Sequence, residues 1–353
     1  MKIDSFLCDM SLNVIEVLSK IDYCKYGIVY IVNEKNKLVG AVSDGDVRRW
    51  IIETNDLSAK VTSFMNTNPK YVFENEREKA ELFRKKFSIT SLPVLNNKQE
   101  VVDVIVFSSA DYSDSKQDLS KNFDVPCIIM AGGKGTRLYP YTKILPKPLI
   151  PIGETPILER IFNRFVSFGI KKFYLTVNYK KSMIRSYFED ISPCYSIEYI
   201  EESIPLGTAG SIKLITENFN TPVIVANCDS LIDADYIDLY NYHIESKNAI
   251  TIVSALKNIK VPYGVLKTKE NGELVELEEK PILSYFINTG MYIVNPELIN
   301  LIPVEKAYHM TNLVDDVLYS GHKVGIYPIS EDSFLDMGEF GEMSRMEQKL
   351  EIL

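Results

Sequence analysis

The chain has 353 residues, of which 46% are hydrophobic and 25% charged, and its formal net charge is −9. This length predicts two domains, and the composition is typical of a globular protein. The acidic balance argues against a nucleic-acid partner, which would need a concentrated positive surface. We find neither a signal peptide nor an apolar run long enough to cross a bilayer, so we expect a cytoplasmic protein with no membrane partner.

The first third of the chain contains an internal repeat. Residues 27–47 align without a gap with residues 90–110, at an offset of 63 positions. Each copy has two short apolar runs around a polar turn, which predicts a β-hairpin, and each copy follows a helical stretch. Units of this size cannot each bury a core, so we expect them to pack as a pseudo-symmetric pair.

This repeat resembles a tandem cystathionine-β-synthase (CBS) domain, an α+β module that often binds adenine nucleotides. The family's signature, G-x-x-S/T-x-x-D, occurs in the first copy as Gly40, Ser43 and Asp46, and the second copy lacks it. A carboxylate can accept from ribose hydroxyls, and a hydroxyl can donate to phosphate. The resemblance therefore implies a regulatory adenine-nucleotide site at Ser43 and Asp46. The alternative is a domain that only mediates assembly, and we expect a homo-oligomer.

A polar stretch over residues 108–124 separates this repeat from the rest of the chain. It is rich in Ser, Asp and Lys and has no periodicity, as is typical of a linker. We therefore predict a regulatory domain at 1–115, a linker at 116–124 and a second domain at 125–353.

The second domain begins with an apolar run at 127–131, which predicts a buried strand, followed by a glycine-rich loop. Glycines let backbone amides approach a triphosphate, and the two cations after them suit phosphate oxygens. Apolar strands at 173–177, 197–200 and 222–227 then alternate with helical segments, which predicts a doubly wound α/β sheet. The loop residues in question are Gly132, Gly133, Gly135, Arg137 and Lys147.

The loop pattern as a whole is G-G-x-G-T-R-L-x-P-x-T-x-x-x-P-K-P-L, over residues 132–149. It is neither a Walker A motif nor a dinucleotide fingerprint. It resembles the signature of the sugar-1-phosphate nucleotidyltransferases, and the resemblance continues through residues 127–340. It implies the nucleotide-diphospho-sugar transferase fold, a Rossmann-like doubly wound mixed sheet. It also implies a Mg²⁺-dependent transfer of a nucleotidyl group from an NTP to a sugar 1-phosphate, releasing pyrophosphate.

The resemblance assigns roles along the second domain. Segments 201–211, 227–230 and 334–339 match the base loop and the two metal-binding motifs, and three later segments match the sugar pocket. The implied residues are Arg137 and Lys147 as catalytic cations; Gly132, Gly133, Gly135, Thr136, Glu202 and Gly207 for the nucleotide; Tyr263, Gly264, Glu279, Lys280 and Asn288 for the sugar phosphate; and Asp229 and Asp336 for magnesium. The three histidines, His243, His309 and His322, receive no role.

The base is predicted from Glu202, which stands five residues before Gly207, where members of the superfamily often read the base edge. A carboxylate only accepts hydrogen bonds, and guanine offers it two adjacent donors where uracil and thymine offer one. GTP is therefore the predicted nucleotide, with Glu201 as the alternative reader. The same reaction with UTP, CTP or dTTP stays open, as does a catalytically inactive sensor of sugar nucleotides.

Segment 309–329 also resembles heptose- and mannose-type guanylyltransferases. A CBS domain ahead of such a domain looks most like the glucosamine-1-phosphate guanylyltransferases of legionaminic acid synthesis. That resemblance implies glucosamine 1-phosphate as the sugar substrate.

Overall fold

The computed structural model describes residues 3–107 apart from 25 and 88, residues 123–338, and positions 343 and 346–348. The chain divides into two compact units, Met1–Leu119 and Ser120–Leu353. Most of the predicted linker, up to residue 122, lies outside the described residues. In the described parts of the chain, no helix combines the length and apolar character needed to cross a bilayer.

The front unit contains two three-stranded sheets of the same topology. Their orders are β1-β2-β3 and β4-β5-β6, and in each the first pair is parallel and the second antiparallel. The strands are β1 (Leu7–Asp9), β2 (Ile28–Val32), β3 (Leu38–Ser43), β4 (Val72–Phe73), β5 (Ser91–Leu95) and β6 (Val101–Val106). Both hairpins carry a register shift at the equivalent place, as the offset of 63 residues in the sequence predicts. Among the described residues, the α-helices of this unit are Val14–Cys24, Asp44–Thr54 and Ala80–Phe87.

The two copies bond to each other at their hairpin turns. The Val101 N–H donates to the Asn36 carbonyl at 3.0 Å, and the Leu38 N–H donates to the Gln99 carbonyl at 3.4 Å. Asn36 and Gln99 occupy equivalent positions of the repeat, and both adopt a left-handed backbone conformation. These reciprocal bonds are those expected of a pseudo-symmetric pair.

The back unit is built on one seven-stranded sheet, with the order β11-β10-β7-β12-β17-β14-β18. Strands β7, β10, β11 and β12 are mutually parallel, and β17 runs antiparallel to both of its neighbours. Two-stranded sheets join β8 to β9, β13 to β19 and β15 to β16. The strands are β7 (Cys127–Ala131), β8 (Pro151–Ile152), β9 (Thr155–Pro156), β10 (Lys172–Val177), β11 (Ser196–Glu201), β12 (Val223–Asn227), β13 (Ser230–Ile232), β14 (Ile250–Lys260), β15 (Gly264–Thr268), β16 (Leu274–Glu279), β17 (Ile282–Val294), β18 (Val324–Ser330) and β19 (Phe334–Asp336).

Helices cover both faces of this sheet. Strand β7 shows why: Ile129 packs in a core with helices Ile157–Val166, Lys181–Ile191 and Tyr236–Glu245, and the next residue, Met130, packs with helix Met310–Tyr319. Alternate residues of a strand face opposite sides, so a strand buried on both sides is apolar throughout. Two further α-helices are the short turns Tyr141–Ile144 and Gly207–Gly210, and the described positions 343 and 346–348 are also helical. The predicted doubly wound mixed α/β sheet is confirmed.

Candidate active site

The glycine-rich loop leaves the carboxyl end of β7. In register, Met130 of β7 pairs with Asn227 of β12, so the ends of these two parallel strands lie side by side. The crevice outside the carboxyl ends of parallel strands is where open α/β sheets bind ligands. The loop therefore begins at the edge of the sheet where a ligand is expected.

The three loop glycines differ in what surrounds them. A Cβ built on Gly132 would lie 2.4 Å from the Glu202 Oε1, and one on Gly135, whose φ is +62°, would lie 3.0 Å from the Lys147 Cβ. A Cβ on Gly133 would meet no described atom within 4 Å beyond its chain neighbours. Protein packing therefore explains the first and third glycines, and only Gly133 leaves open space beside its backbone.

The short helix Tyr141–Ile144 fixes the far side of the loop. The Thr142 hydroxyl donates to the Gly135 carbonyl at 2.9 Å, and the Tyr179 hydroxyl donates to the Thr142 carbonyl at 3.2 Å. Lys180 donates to the carbonyls at the end of this helix. Within the loop, Thr136 and Arg137 are exposed. Tyr179 and Lys180, which follow β10, therefore hold the backbone at the far side of the loop, and the Arg137 side chain stays exposed.

Two aspartates meet across the small β13–β19 sheet. Asp229 stands immediately before β13 and Asp336 ends β19, where it pairs in register with Ser230. The Met337 N–H donates to the Asp229 carbonyl at 2.9 Å, which locks the two strands together. The Lys147 Nζ forms an ion pair with the Asp229 Oδ2, and both side chains are largely buried.

The charges around these aspartates are coupled. Burial raises the pKa of Asp336, and the nearby negative charge of Asp229 raises the same pKa further. The cations of Lys147 and Arg137 and the N–H of Gly338 act in the opposite direction. Two carboxylates and two cations from four parts of the chain therefore lie within electrostatic reach of one another.

The residues present fit a magnesium ion only with help from a ligand. Among the described residues, no group of three or more His, Cys, Asp or Glu could hold a metal alone. Asp229 and Asp336 provide two carboxylates in one cleft. Magnesium is commonly bound by one or two carboxylates together with substrate phosphates and water. The donor set is therefore of the kind that binds this ion with a phosphate substrate.

Four predicted residues line one cleft of about 290 Å³: Arg137, Asp229, Asn288 and Asp336. Lys147 reaches the same place through its ion pair with Asp229. Several lining residues were not singled out from the sequence, namely Met130, Thr208, Asn227, Ser230, Thr289, Gly290, Tyr292, His309, Met310, Thr311 and Phe334. The cleft therefore gathers the loop, the metal motifs and part of the predicted sugar pocket.

The two candidate base readers are neighbours at the end of β11. Glu201 is the last residue of this strand, and Glu202 follows it. Glu202 is 7% exposed, its Oε2 accepts from the Leu206 N–H at 3.1 Å, and its Oε1 is directed at Gly132. Burial raises the pKa of Glu202, and the Leu206 hydrogen bond opposes this rise. Glu201 is exposed and forms ion pairs with cations of helix Lys181–Ile191. Only Glu202 faces the glycine-rich loop.

Gly207 approaches another protein segment closely. Its φ is +77°, and a Cβ there would lie 2.7 Å from the Tyr308 carbonyl oxygen and 3.1 Å from the His309 ring. The N–H groups of Ala209 and Gly210 donate to that carbonyl at 3.0 and 2.9 Å. The close approach at this glycine brings the base loop against His309, which lines the cleft although no role was predicted for it.

The predicted sugar contact Asn288 is held by its own strand. Its Oδ1 accepts from the Gly290 N–H at 2.9 Å, and its Nδ2 donates to the Tyr292 hydroxyl at 2.7 Å. Tyr292 lines the cleft and, because its oxygen accepts from Asn288, its own hydroxyl proton can be donated elsewhere. Asn227, beside Gly290, was also missed, although it opens the N-C-D-S motif. Asn227 lies in the predicted metal segment 227–230, and Tyr292 lies in the predicted sugar segment 288–294. Polar residues inside these segments are the signal by which both could be predicted.

The other four predicted sugar residues lie together on the β15–β16 ribbon. Gly264 pairs in register with Glu279, and the Lys280 N–H donates to the Tyr263 carbonyl at 3.3 Å. Tyr263 is 74% exposed. The residues that line the described cleft do not include these four. The structure therefore groups them with one another, and Asn288 alone of the predicted sugar set stands in the cleft.

In the front unit, the signature residues hold each other. Ser43 is the N-cap of helix Asp44–Thr54, and its hydroxyl oxygen accepts from the Asp46 N–H at 3.2 Å. The Asp46 Oδ2 accepts from the Ser43 N–H at 2.8 Å and from its hydroxyl at 2.7 Å. A Cβ on Gly40 would lie 2.7 Å from the Met65 Sδ. Each of the three residues thus has a structural partner, and the Ser–Asp pair forms a capping box.

The fold and cleft define a doubly wound α/β protein with a glycine-rich loop and paired aspartates at the edge of its sheet. A sequence profile of the family described as Nucleotidyl transferase matches residues 127–351, and one of the CBS domain matches residues 1–53. The chain belongs to the Nucleotidyl transferase family. The two matches confirm the resemblance to the nucleotidyltransferase family and, over the first copy of the repeat, the resemblance to a CBS domain. The closer resemblance to the enzymes of legionaminic acid synthesis stays a prediction.

Curated relatives carry names of sugar-phosphate enzymes. The chain is 32% identical over 233 residues to a UTP--glucose-1-phosphate uridylyltransferase of Synechocystis, which covers 60% of each protein. It is 33% identical over 183 residues to a mannose-1-phosphate guanyltransferase of Yarrowia lipolytica, which covers 50% of each. It is 32% identical over 214 residues to a D-glycero-alpha-D-manno-heptose 1-phosphate guanylyltransferase of Campylobacter jejuni, covering 60% of this chain and 93% of that protein. The chain spans about half to three-fifths of the length of the first two relatives.

A solved structure shares the architecture. The crystal structure of HddC from Yersinia pseudotuberculosis has a TM-score of 0.50 and 25% sequence identity, and it covers 64% of this chain and 99% of that one. A second structure, from Bacillus anthracis, has a TM-score of 0.52 at 21% identity and supports the fold alone.

Proposed function

We propose that this protein transfers a nucleotidyl group from an NTP to a sugar 1-phosphate, releasing pyrophosphate and an NDP-sugar. The observation that carries the proposal is the convergence of Arg137, Lys147, Asp229 and Asp336 at one cleft. Family membership and the printed names of the relatives support the same reaction class. Partly buried like charges in a cleft indicate function because they cost free energy in the folded state.

The chemistry follows from the charges of the substrates. The attacking oxygen of a sugar phosphate is already an anion, so the reaction needs no general base to activate it. The obstacles are the repulsion between two polyanions and the charge that develops on the departing pyrophosphate. Asp229 and Asp336 would hold Mg²⁺, which supplies charge neutralisation between the phosphates when it is bound. Arg137 and the amides of the loop would stabilise the leaving group.

Two anions can pair with the Lys147 ammonium: the Asp229 carboxylate and a phosphate group of the substrate. The ammonium forms an ion pair with Asp229, and this contact screens the charge of Asp229 from the nearby Asp336. Phosphate oxygens entering the cleft compete for the same ammonium. We therefore assign Lys147 to the phosphates of the bound substrate, with Thr136 and the glycines of the loop beside it.

GTP is the proposed nucleotide, because Glu202 is the carboxylate that faces the loop and it can accept from two adjacent guanine donors. Two of the three relatives named above are guanylyl- or guanyltransferases. The uridylyltransferase among them makes UTP the second candidate. Gly207 supports the base loop through its close approach to segment 308–309.

The proposed sugar pocket has a fixed part and an exposed part. The fixed part is Asn288, which acts beside the Tyr292 hydroxyl in the cleft. The exposed part is the β15–β16 ribbon with Tyr263, Gly264, Glu279 and Lys280, which would contact the sugar phosphate when it binds. Glucosamine 1-phosphate is the proposed sugar, on the combination of a CBS match with guanylyltransferase relatives.

A turnover screen tests these proposals together. Pyrophosphate release would be measured for GTP, UTP, CTP and dTTP against glucosamine, glucose, mannose and heptose 1-phosphates, with magnesium and with EDTA. We expect the largest kcat/KM for GTP with glucosamine 1-phosphate, and no turnover in EDTA. A pyrimidine nucleotide in first place would refute the base assignment and leave the reaction class standing. Absence of turnover with every pair would favour the inactive sensor.

The domain boundaries and the role of the front unit are also proposals. We propose a regulatory domain at 1–115, a linker at 116–124 and a catalytic domain at 125–353, in a homo-oligomer. Because the cleft residues all follow residue 125, deletion of residues 1–115 should leave turnover intact and change the assembly state or the response to an adenine nucleotide. Light scattering and titration with ATP, ADP and AMP would measure the two alternatives.

A further inference from the structure

His309 stands where the base loop meets helix Met310–Tyr319. Its backbone N–H donates to the Asn312 Oδ1 at 2.9 Å, and the N–H of Thr208 lies 3.5 Å from its Nδ1. The Thr208 hydroxyl accepts from the Met310 N–H at 2.9 Å, so the loop and the start of the helix bond to each other on both sides of the histidine. The backbone on both sides of His309 is therefore held, and its exposed ring lines the cleft.

The two ring nitrogens of His309 have different surroundings. Nδ1 faces the Thr208 N–H at 3.5 Å and is placed to accept from it, so Nε2 is the nitrogen left to donate. Gly207 packs against the Nδ1 and Cε1 side, where a Cβ would come within 3.1 Å of both atoms. Within the described residues Nε2 has no hydrogen-bond partner. The ring therefore has one uncommitted polar group, an N–H donor, and it lines the cleft.

A neutral donor suits a different part of the substrates from the charged groups. The phosphates have Arg137 and Lys147, and the metal has two carboxylates, whereas the ring hydroxyls of a hexose or a ribose are neutral and can accept. His309 is exposed, so its Nε2 meets solvent until a substrate covers it. A site that hydrogen-bonds a substrate hydroxyl discriminates against analogues lacking it, because the donor that the substrate covers is then left unpaired.

We propose that His309 is a specificity-determining residue whose Nε2–H donates to a ring hydroxyl of the bound substrate, on the hexose of the sugar phosphate or on the ribose of the nucleotide. The inference rests on the proposed function for its two substrates. It does not depend on the base, because GTP, UTP and CTP share both ribose hydroxyls and dTTP retains the 3′-hydroxyl.

Two substitutions separate this role from a structural one. His309→Asn keeps an acceptor near the Nδ1 position and a favourable N-cap residue, but it lacks a donor at the Nε2 position. His309→Gln can place an amide N–H near the Nε2 position. With the substrate pair that the wild-type enzyme uses best, we expect His309→Asn to melt like the wild type and lose about tenfold in kcat/KM, and His309→Gln to recover part of that loss. His322→Asn, at an exposed position, is the matched control and should change nothing.

Deoxy substrates identify the hydroxyl. Wild-type and His309→Asn enzymes would be compared with 2′- and 3′-deoxynucleotides and with monodeoxy sugar 1-phosphates. The analogue that lacks the partner hydroxyl should abolish the difference between the two enzymes, because the interaction is already missing. A ribose analogue with this behaviour assigns the contact to the nucleotide, and a hexose analogue assigns it to the sugar. Unchanged kcat/KM in a well-folded His309→Asn enzyme, or an equal penalty with every analogue, overturns the proposal.

Discussion

Each unit contains a pair of motif residues that includes an aspartate, and the two pairs differ in what surrounds them. Asp46 bonds to Ser43 three residues away, and the pair completes the start of a helix. Asp229 receives Lys147 from 82 positions earlier in the chain and lies beside Asp336 from another strand. In the first pair every charge has a local structural reason. In the second pair, two negative charges are held close together and partly buried, and their repulsion destabilises the folded chain.

The surroundings of a motif carboxylate indicate whether it acts on stability or on function. A carboxylate that accepts from N–H groups at a helix start stabilises that helix whether or not a ligand binds. A pair of carboxylates whose proximity raises a pKa is retained against a cost, and such sites cluster at functional positions. The first pattern therefore predicts effects on stability, and the second predicts effects on turnover.

The largest effect is expected at the aspartate pair. Asp229→Asn and Asp336→Asn each remove one anionic oxygen that would hold magnesium, at a cost of roughly 2.7–4 kcal/mol, or about 10²–10³ in kcat. The fold should remain, because each amide keeps the shape of the side chain. Asp46→Asn in the front unit is the matched control and should leave kcat unchanged. Near-normal turnover of both cleft variants at saturating magnesium would remove the distinction between the two pairs.

The next effect concerns the base. In Glu202→Gln the amide oxygen can keep the Leu206 hydrogen bond, and the NH₂ then faces the guanine donors. Against uracil or thymine the same amide can both donate and accept. A buried polar mismatch costs roughly 1–3 kcal/mol, so the ratio of kcat/KM for GTP to that for UTP should fall by about 5- to 150-fold.

Glu201→Gln is the control for this experiment. Glu201 is exposed and ion-paired to helix Lys181–Ile191, so its substitution should leave the ratio unchanged. An unchanged ratio in Glu202→Gln would mean that another group reads the base, and a changed ratio in Glu201→Gln would point to Glu201 instead.

Much of the fold follows from local patterns. The apolar run at 127–131 is β7, residue for residue, and the hairpin repeat matches β2–β3 and β5–β6. These predictions succeed because apolar periodicity and turn residues act over a few positions. The family motifs also singled out Arg137, Asp229 and Asp336, which the fold brings to one cleft.

What the sequence does not provide are contacts made between distant strands and loops. His309 enters the cleft because Gly207 lets the base loop approach Tyr308, about 100 residues further along. Even within β17, the Asn288 side chain donates to the Tyr292 hydroxyl oxygen, a side-chain contact that the sequence pattern does not specify. The ribbon residues and Asn288 come from three segments that all match the sugar pocket in sequence, yet only Asn288 lines the cleft. Neither periodicity nor spacing specifies such relations.

A smaller effect is expected at the front motif. Ser43→Ala removes the acceptor that caps helix Asp44–Thr54, at a cost of about 1 kcal/mol of stability. Turnover should not change. Thermal unfolding measures the first effect, and isothermal titration with adenine nucleotides measures whether Ser43 also binds a ligand. A loss of nucleotide affinity in a variant of wild-type stability would give this pair a function beyond the cap.

The smallest effect is expected at His243, a buried residue with hydrogen-bond partners from distant parts of the chain. It tests whether such partners are by themselves a sign of function. Its Nδ1 bonds to the Thr251 hydroxyl at 2.8 Å and its Nε2 to the Asn295 Oδ1 at 3.0 Å, and Asn248 donates to the same Thr251 oxygen. Thr251 therefore donates to Nδ1 and Asn295 accepts from Nε2–H, so the neutral ring is fully bonded. Burial lowers the pKa of His243 below its ordinary 6.5.

Because its native pKa is lowered, the unfolded chain takes up this proton at a higher pH than the folded protein does. The free energy of unfolding should therefore fall as the pH drops from about 6.5 through the lowered native pKa, and this contribution should be complete above 6.5. His243→Gln removes the titrating group, so its stability should depend less on pH across that window, while its kcat/KM at neutral pH stays that of the wild type. Urea unfolding of both proteins at several pH values on either side of 6.5 measures the difference in slope. Equal slopes would show that the ring is not held neutral by its buried partners, and a fall in kcat/KM would mean that satisfied, distant hydrogen bonds can also mark a functional residue.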